Sequence, residues 1–179
     1  VPSPKILLKA FEEVKPNLIL TVPLILEKIY KNMILPQLSK TTMKVALNIP
    51  LLDSRIYAQI RKKLVDAFGG RFREVIVGGA AMNEEETYFL YKIIFPFTIG
   101  YGMTECGPLI SYDHNDEYVP GSCGQILKGI MKVRIDSEDP YNKVGEIQVS
   151  GENEMKGYYK NEEATSKVIT EGGWMRTGD

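Results

Sequence analysis

Cysteine is scarce: Cys106 and Cys123 are the only two, and they show no metal-ligand spacing. Two thiols cannot build a disulfide framework, and a reducing, cytoplasmic setting is the expectation. His114 is the sole histidine. A Ser-His-Asp triad or a multi-histidine zinc site would have to be built around that one ring. Neither sign of charge dominates, with 22 Lys and Arg against 23 Asp and Glu, a net charge of −1. That balance argues against nucleic acid as a partner. Long apolar runs are also missing. The longest, Leu18 to Leu26, is interrupted by Thr21 and Pro23 and falls well short of the ~18 residues a membrane span needs.

What is present suits a globular protein. Hydrophobic residues make up 44% and charged residues 25% of the 179 positions, which excludes a disordered chain and allows a sizeable core. The chain starts at Val1 and stops at Asp179, directly after a Thr-Gly pair. A piece of a longer protein is expected on that ground.

Ser3-Pro4 reads as a cap followed by proline in the first helical turn. Ile6, Leu7, Ala10, Phe11 and Val14 then recur at helical spacing up to Pro16. Leu18 to Val22 is a short β-favouring run without alternation, which predicts a strand buried on both faces. Pro23 opens a helix carrying Leu26, Ile29, Tyr30 and Met33 on one face, and Ser39 to Asn48 is read as loop or broken helix. Asp53 or Ser54 caps a further helix, with Ile56, Ile60, Leu64 and Phe68 every four residues and Gly69-Gly70 as its stop. A strand over residues 73–77 enters Gly78-Gly79-Ala80-Ala81-Met82. Asn83 and Glu86 form a capping-box pattern for a helix reaching about Ile94. A third strand, 97–101, enters Gly100-Tyr101-Gly102.

Strands alternating with helices predict a parallel sheet, with ligands beyond the carboxyl ends of its strands. Both glycine-rich turns follow such ends. Near Pro120 the pattern changes. Residues 131–136 and 146–150 read as an antiparallel pair around a long loop, residues 162–169 as a short helix, and Trp174 to Arg176 as a last strand. The expectation is an α/β fold, mainly a parallel sheet flanked by helices over residues 1–119, followed by a smaller β-rich, barrel-like piece over 120–179.

Four motifs could carry chemistry. In Gly100-Tyr101-Gly102-Met103-Thr104-Glu105 the glycines permit positive φ and close approach to a ligand. The tyrosine offers a face for stacking, and a hydroxyl beside a carboxylate suits phosphate and Mg²⁺. A packed tyrosine in a tight turn explains the same residues. Gly78-Gly79-Ala80-Ala81 lets a flat group lie on the backbone, or serves close helix–sheet packing. Gly145-Glu146-Ile147-x-Val149-x-Gly151 followed by Met155-x-Gly157-Tyr158-Tyr159 reads as a structural hairpin with an aromatic corner. In Trp174-Met175-Arg176-Thr177-Gly178-Asp179, the aspartate could accept hydrogen bonds from a sugar diol or serve an Asx-type turn.

In this order and spacing the four motifs resemble the adenylate-forming superfamily: acyl-CoA synthetases, peptide-synthetase adenylation domains and luciferases. The matching patterns are G-Y-G-x-T-E, G-E-I-x-V-x-G-x-x-x-M-x-G-Y and W-x-R-T-G-D. Val22-Pro23 with Glu27-Lys28-Ile29-Tyr30 is similar to the long-chain fatty acyl-CoA synthetase branch. The resemblance implies activation of a carboxylate by ATP as acyl-AMP, then transfer to CoA, with Mg²⁺ required. It implies Tyr101 and Gly102 at the adenine, Gly78, Gly79 and Ala80 on its other side, and Asp179 on the ribose hydroxyls. It makes Thr104 and Glu105 the catalytic residues, Thr104 on the α-phosphate and Glu105 on Mg²⁺. Partners would be small molecules, with peripheral membrane contact for a lipid substrate.

Departures accompany the likeness. The family's phosphate loop ending in Pro-Lys and its C-terminal domain with a catalytic lysine are not in these 179 residues, so the chain alone is expected to be inactive. The stretch from Tyr30 to Asp53 is short for the fatty-acid branch. Gly124 to Gly129 lacks the two prolines of the family's G-x-P-x-P-G. An aryl-CoA ligase, a peptide-synthetase adenylation domain and a non-catalytic nucleotide-binding module stay open as alternatives.

Overall fold

In the computed structural model, residues 4–40, 46–47, 49 and 52–179 are described. The expected Ser3 cap, and residues 41–45 and 48 of the expected loop, lie outside them. The described residues form two compact units that interleave along the chain. One comprises residues 1–99 and 114–122, the other 100–113 and 123–179.

The first unit contains α1 (Pro4–Val14), β1 (Leu18–Thr21) and α2 (Pro23–Ile29). A π turn over Tyr30–Ile34 continues α2 into α3 (Leu35–Leu38). Then come α4 (Leu52–Ala67), β2 (Glu74–Val77), α5 (Glu84–Lys92) and β3 (Phe97–Ile99). β1, β2 and β3 form one parallel sheet in that order, with Leu18 opposite Glu74 and Val75 opposite Phe97. The periodicity of α4 holds in space: Ile60, Leu64 and Phe68 are buried. Phe68 is fully enclosed and lies 5.5 to 5.9 Å from the rings of Phe11, Phe72 and Phe95.

Four expectations for this unit need correction. Among the described residues only one face of β1 is packed: Ile19 is 3% exposed, whereas Leu20 is 74% exposed. α4 begins at Leu52, with Asp53 already in its first turn. α5 stops at Lys92, because Ile94 takes a positive φ of 56°. β3 ends at Ile99, and Tyr101 belongs to another sheet.

Segment 114–122 is held by a buried carboxylate. Glu74, 6% exposed, accepts hydrogen bonds from the Asn115 backbone N–H (3.0 Å) and side-chain amide (3.2 Å), and His114 Nδ1 lies 3.4 Å away. Burying a carboxylate is tolerable only with such partners. Four residues on, the Tyr118 ring packs 5.0 Å from that of Phe97.

The second unit contains β4 (Tyr101–Gly102), a 3₁₀ turn (Thr104–Cys106) and β5 (Leu109–Ser111). It continues with β6 (Met131–Asp136), β7 (Glu146–Gly151), α6 (Glu162–Val168) and β8 (Met175–Arg176). β4 pairs with β5, and β6, β7 and β8 form a second sheet, all antiparallel. Cys106, Ile110, Met131, Val149 and Met175 make the core. The alternation expected of β7 is broken at Gln148, which is 1% exposed. Its carboxamide oxygen accepts from Arg134 Nε and Nη2 at 2.8 and 2.6 Å, and its nitrogen donates to Asp136 at 2.8 Å. The Arg134 guanidinium lies 4.5 Å from the centre of the Trp174 ring system, a cation–π contact that completes this polar cluster.

Candidate functional site

Tyr101 and Asp179 are 78 residues apart in sequence, yet the Tyr101 hydroxyl donates to Asp179 Oδ2 at 2.6 Å. Burial, and then this bond to the carboxylate, push the Tyr101 phenol up to about 12. Asp179 is positioned by strand chemistry. Ile147 N–H donates to the Asp179 carbonyl at 3.0 Å, and Thr177 donates to the Ile147 carbonyl through both its N–H (3.2 Å) and its hydroxyl (2.8 Å). The Glu146 carboxylate accepts from Gly178 N–H at 3.1 Å and lies 3.7 Å from Arg176 Nε. Two separate sequence motifs are therefore two sides of one ladder.

Gly102 has a steric role. A Cβ there would collide with the Pro108 carbonyl across the β4–β5 pair. The positive φ expected of the motif's first glycines occurs instead at Gly107, at 62°. Thr104 is exposed, and its hydroxyl has no hydrogen bond among the described residues. Glu105 is half-buried, and its Oε1 accepts from the Tyr158 hydroxyl at 2.9 Å. That bond holds the Tyr158 phenol above its ordinary range. Glu105 Oε2 has no hydrogen bond, and no basic side chain pairs with it, among the described residues. Cys106 is fully buried, and burial pushes its thiol up to about 11, an environment that disfavours the thiolate.

Gly78, Gly79 and Ala80 lie in the first unit, beyond the carboxyl end of β2. Gly78 N–H donates to the Thr21 carbonyl at 3.1 Å. Gly79 is exposed at φ 87°, and the nearest atom to a Cβ there is 3.9 Å away, on Val22. Conformation, not close packing, calls for glycine at this position.

Sequence reasoning missed two residues. Tyr158 read as a structural corner and Asn153 as an unspecified motif position. Asn153 Nδ2 donates to the carbonyls of Cys106 (2.6 Å) and Leu109 (2.8 Å). The available signal was that both fall inside a motif of fixed spacing whose hairpin reading left them without a task.

No group of three or more His, Cys, Asp or Glu able to hold a metal occurs among the described residues. Glu105, with one carboxylate oxygen free of hydrogen bonds, still fits Mg²⁺, which takes one or two protein carboxylates and completes its shell with phosphate oxygens and water. No helix among the described residues is long and apolar enough to cross a membrane.

The fold is that of the adenylate-forming enzymes. O-succinylbenzoate coenzyme A synthetase of Bacillus subtilis, in complex with ATP and magnesium ion, superposes with a TM-score of 0.67 at 22% identity, covering 99% of this chain and 31% of that one. The AMP-binding enzyme family model matches residues 1–159, and the chain belongs to that family. It is 29% identical to long-chain-fatty-acid–CoA ligase 1 of Saccharomyces cerevisiae, over 94% of this chain and 26% of the relative. It is 30% identical to 4-coumarate–CoA ligase of Pinus taeda, over 87% and 31%. The chain thus spans between about a quarter and a third of the length of these relatives.

Proposed function

We propose that this chain is the adenosine-binding part of an ATP-dependent acyl-CoA ligase. The bond between Tyr101 and Asp179 carries the reading, because it sets an aromatic face beside a carboxylate suited to a ribose diol. Tyr101 and Gly102 take the adenine. Asp179 accepts from the ribose hydroxyls.

The substrate carboxylate attacks the α-phosphorus of ATP and pyrophosphate leaves. The CoA thiol then attacks the acyl carbonyl of the acyl-AMP and AMP leaves. Thr104, with an exposed and uncommitted hydroxyl, donates to the α-phosphate as charge develops there. Mg²⁺, when bound through Glu105, supplies charge neutralisation on the phosphates. No general base is required, since the attacking carboxylate is already ionised at neutral pH.

A long-chain fatty acid is the proposed substrate, on the strength of Val22-Pro23 and Glu27 to Tyr30, with peripheral membrane contact to reach it; the scarcity of cysteine favours a cytoplasmic location. An aryl carboxylate is the second reading, favoured by the similarity to 4-coumarate–CoA ligase. The 179 residues alone are proposed not to complete the reaction.

The test is ATP–pyrophosphate exchange by the full-length protein, with palmitate, 4-coumarate or amino acids supplied one at a time. Exchange with palmitate, followed by thioester formation with CoA, supports the first reading. Exchange with 4-coumarate alone selects the second. Nucleotide binding without exchange on any acid identifies a non-catalytic module and rejects both.

A further inference from the structure

The loop from Gly151 to Tyr158 closes on the turn that carries Glu105 at three points. Asn153 Nδ2 bridges the carbonyls of Cys106 and Leu109, at 2.6 and 2.8 Å. Met155 N–H donates to the Glu105 carbonyl at 2.7 Å. The Tyr158 hydroxyl donates to Glu105 Oε1 at 2.9 Å, across 53 residues of sequence. The first two tethers hold the backbone at Glu105 and just after it, and the third reaches its side chain.

Tyr158 is itself anchored. Its N–H donates to Thr165 Oγ1 at 3.0 Å, and that hydroxyl donates to the Asn161 carbonyl at 2.8 Å. Asn161 caps α6 by accepting from Ala164 N–H at 3.0 Å, and its own N–H donates to the Tyr158 carbonyl at 3.1 Å. Gly157 precedes Tyr158 at φ 141°, and a Cβ there would come within 2.8 Å of the Thr165 methyl group. The phenol therefore projects from a backbone built around the first turn of α6.

We propose that Tyr158 is a positioning residue that orients Glu105 toward a divalent cation. The inference rests on the metal role proposed for Glu105. A flexible glutamate loses rotamer freedom when it binds a cation. A donor already engaging Oε1 removes part of that loss beforehand and leaves Oε2, without a hydrogen bond among the described residues, for the metal. A hydroxyl–carboxylate bond is charge-assisted and well suited to the task.

The experiment measures Mn²⁺ affinity of the full-length protein in its complex with ATP by electron paramagnetic resonance. It compares wild type, Tyr158→Phe, Glu105→Gln and the double variant, with melting temperatures and metal-free ATP affinity recorded alongside. Tyr158→Phe keeps the ring and removes only the donor. It should weaken Mn²⁺ binding by about tenfold, the effect of losing one charge-assisted bond, with metal-free ATP affinity unchanged. The double variant should bind no more weakly than Glu105→Gln alone.

Unchanged Mn²⁺ affinity in Tyr158→Phe, beside a loss in Glu105→Gln, overturns the positioning role and leaves the metal role of Glu105 standing. Tighter Mn²⁺ binding in Tyr158→Phe overturns it too, by showing that the phenol competes with the cation. Unchanged affinity in Glu105→Gln overturns the metal assignment and this proposal with it. Weakening of metal-free ATP binding by Tyr158→Phe, in step with Mn²⁺ binding, marks a general loss of structure and overturns the positioning role.

Discussion

Tyr101 and Asp179 share a 2.6 Å hydrogen bond within one compact unit, although almost the whole length of that unit separates them in sequence. The phenol donates and the carboxylate accepts, so the bond exists only while the phenol keeps its proton.

The sign of the resulting pH dependence follows. Tyr101 titrates at about 12, above the ordinary value of 10.0, with burial as the larger cause and Asp179 the next. Its contribution to stability is complete below the unfolded pKa and is lost as pH rises through the folded one, between about 10 and 12. Asp179→Asn should lower the Tyr101 pKa without returning it to the ordinary value, because burial persists. Site-resolved NMR of ring-labelled tyrosine over that window checks both points.

Glu105→Gln keeps the shape of the side chain and removes its charge. In the full-length protein the adenylation step should slow by about two orders of magnitude, as expected when a charge acts in the transition state. Thioester formation from synthetic acyl-AMP should be affected far less. Equal losses in both steps, measured by single-turnover kinetics, would assign Glu105 a structural role.

Gly102→Ala places a methyl group against the Pro108 carbonyl. The clash involves backbone that no side-chain rotation can relieve. Destabilisation of about 1–3 kcal/mol is expected, the range for overpacking a tight site. Urea unfolding of the full-length protein, followed by a probe in this unit, measures it.

Phe68→Ala empties the centre of the ring cluster formed with Phe11, Phe72 and Phe95. Loss of a fully buried ring should cost about 3–5 kcal/mol, since the surrounding rings come from separate elements and collapse only in part. Thermal unfolding should show the drop, and Phe68→Leu should recover much of it.

Much of the fold was legible along the chain because local physics dictates it. The four-residue spacing from Ile56 to Phe68 made one helical face. The capping pattern started α5 where expected, with Asn83 Oδ1 accepting from Glu86 N–H at 3.1 Å. Glu74 to Val77 read as a short buried strand of a parallel sheet, and β2 is the middle strand of that sheet. Legibility stopped where a residue's state depends on a distant neighbour. Leu20 reads as core from its own composition, yet it is exposed because no described element covers its face of β1. Tyr101 reads as the end of β3, yet it pairs with Ser111 in a different sheet.

By itself the sequence supplied the residues proposed to carry the chemistry: an aromatic ring, a hydroxyl and two carboxylates on turns rich in glycine. Their identities and spacing are covalent facts and survive any reading of the fold. Only the tertiary structure decided their partners. It joined Tyr101 to Asp179, gave Glu105 a donor in Tyr158, and made Asn153 the tie between two carbonyls. Hydrogen bonds across 44 to 78 residues leave no local periodicity to read, because their geometry exists only once the strands between them have paired.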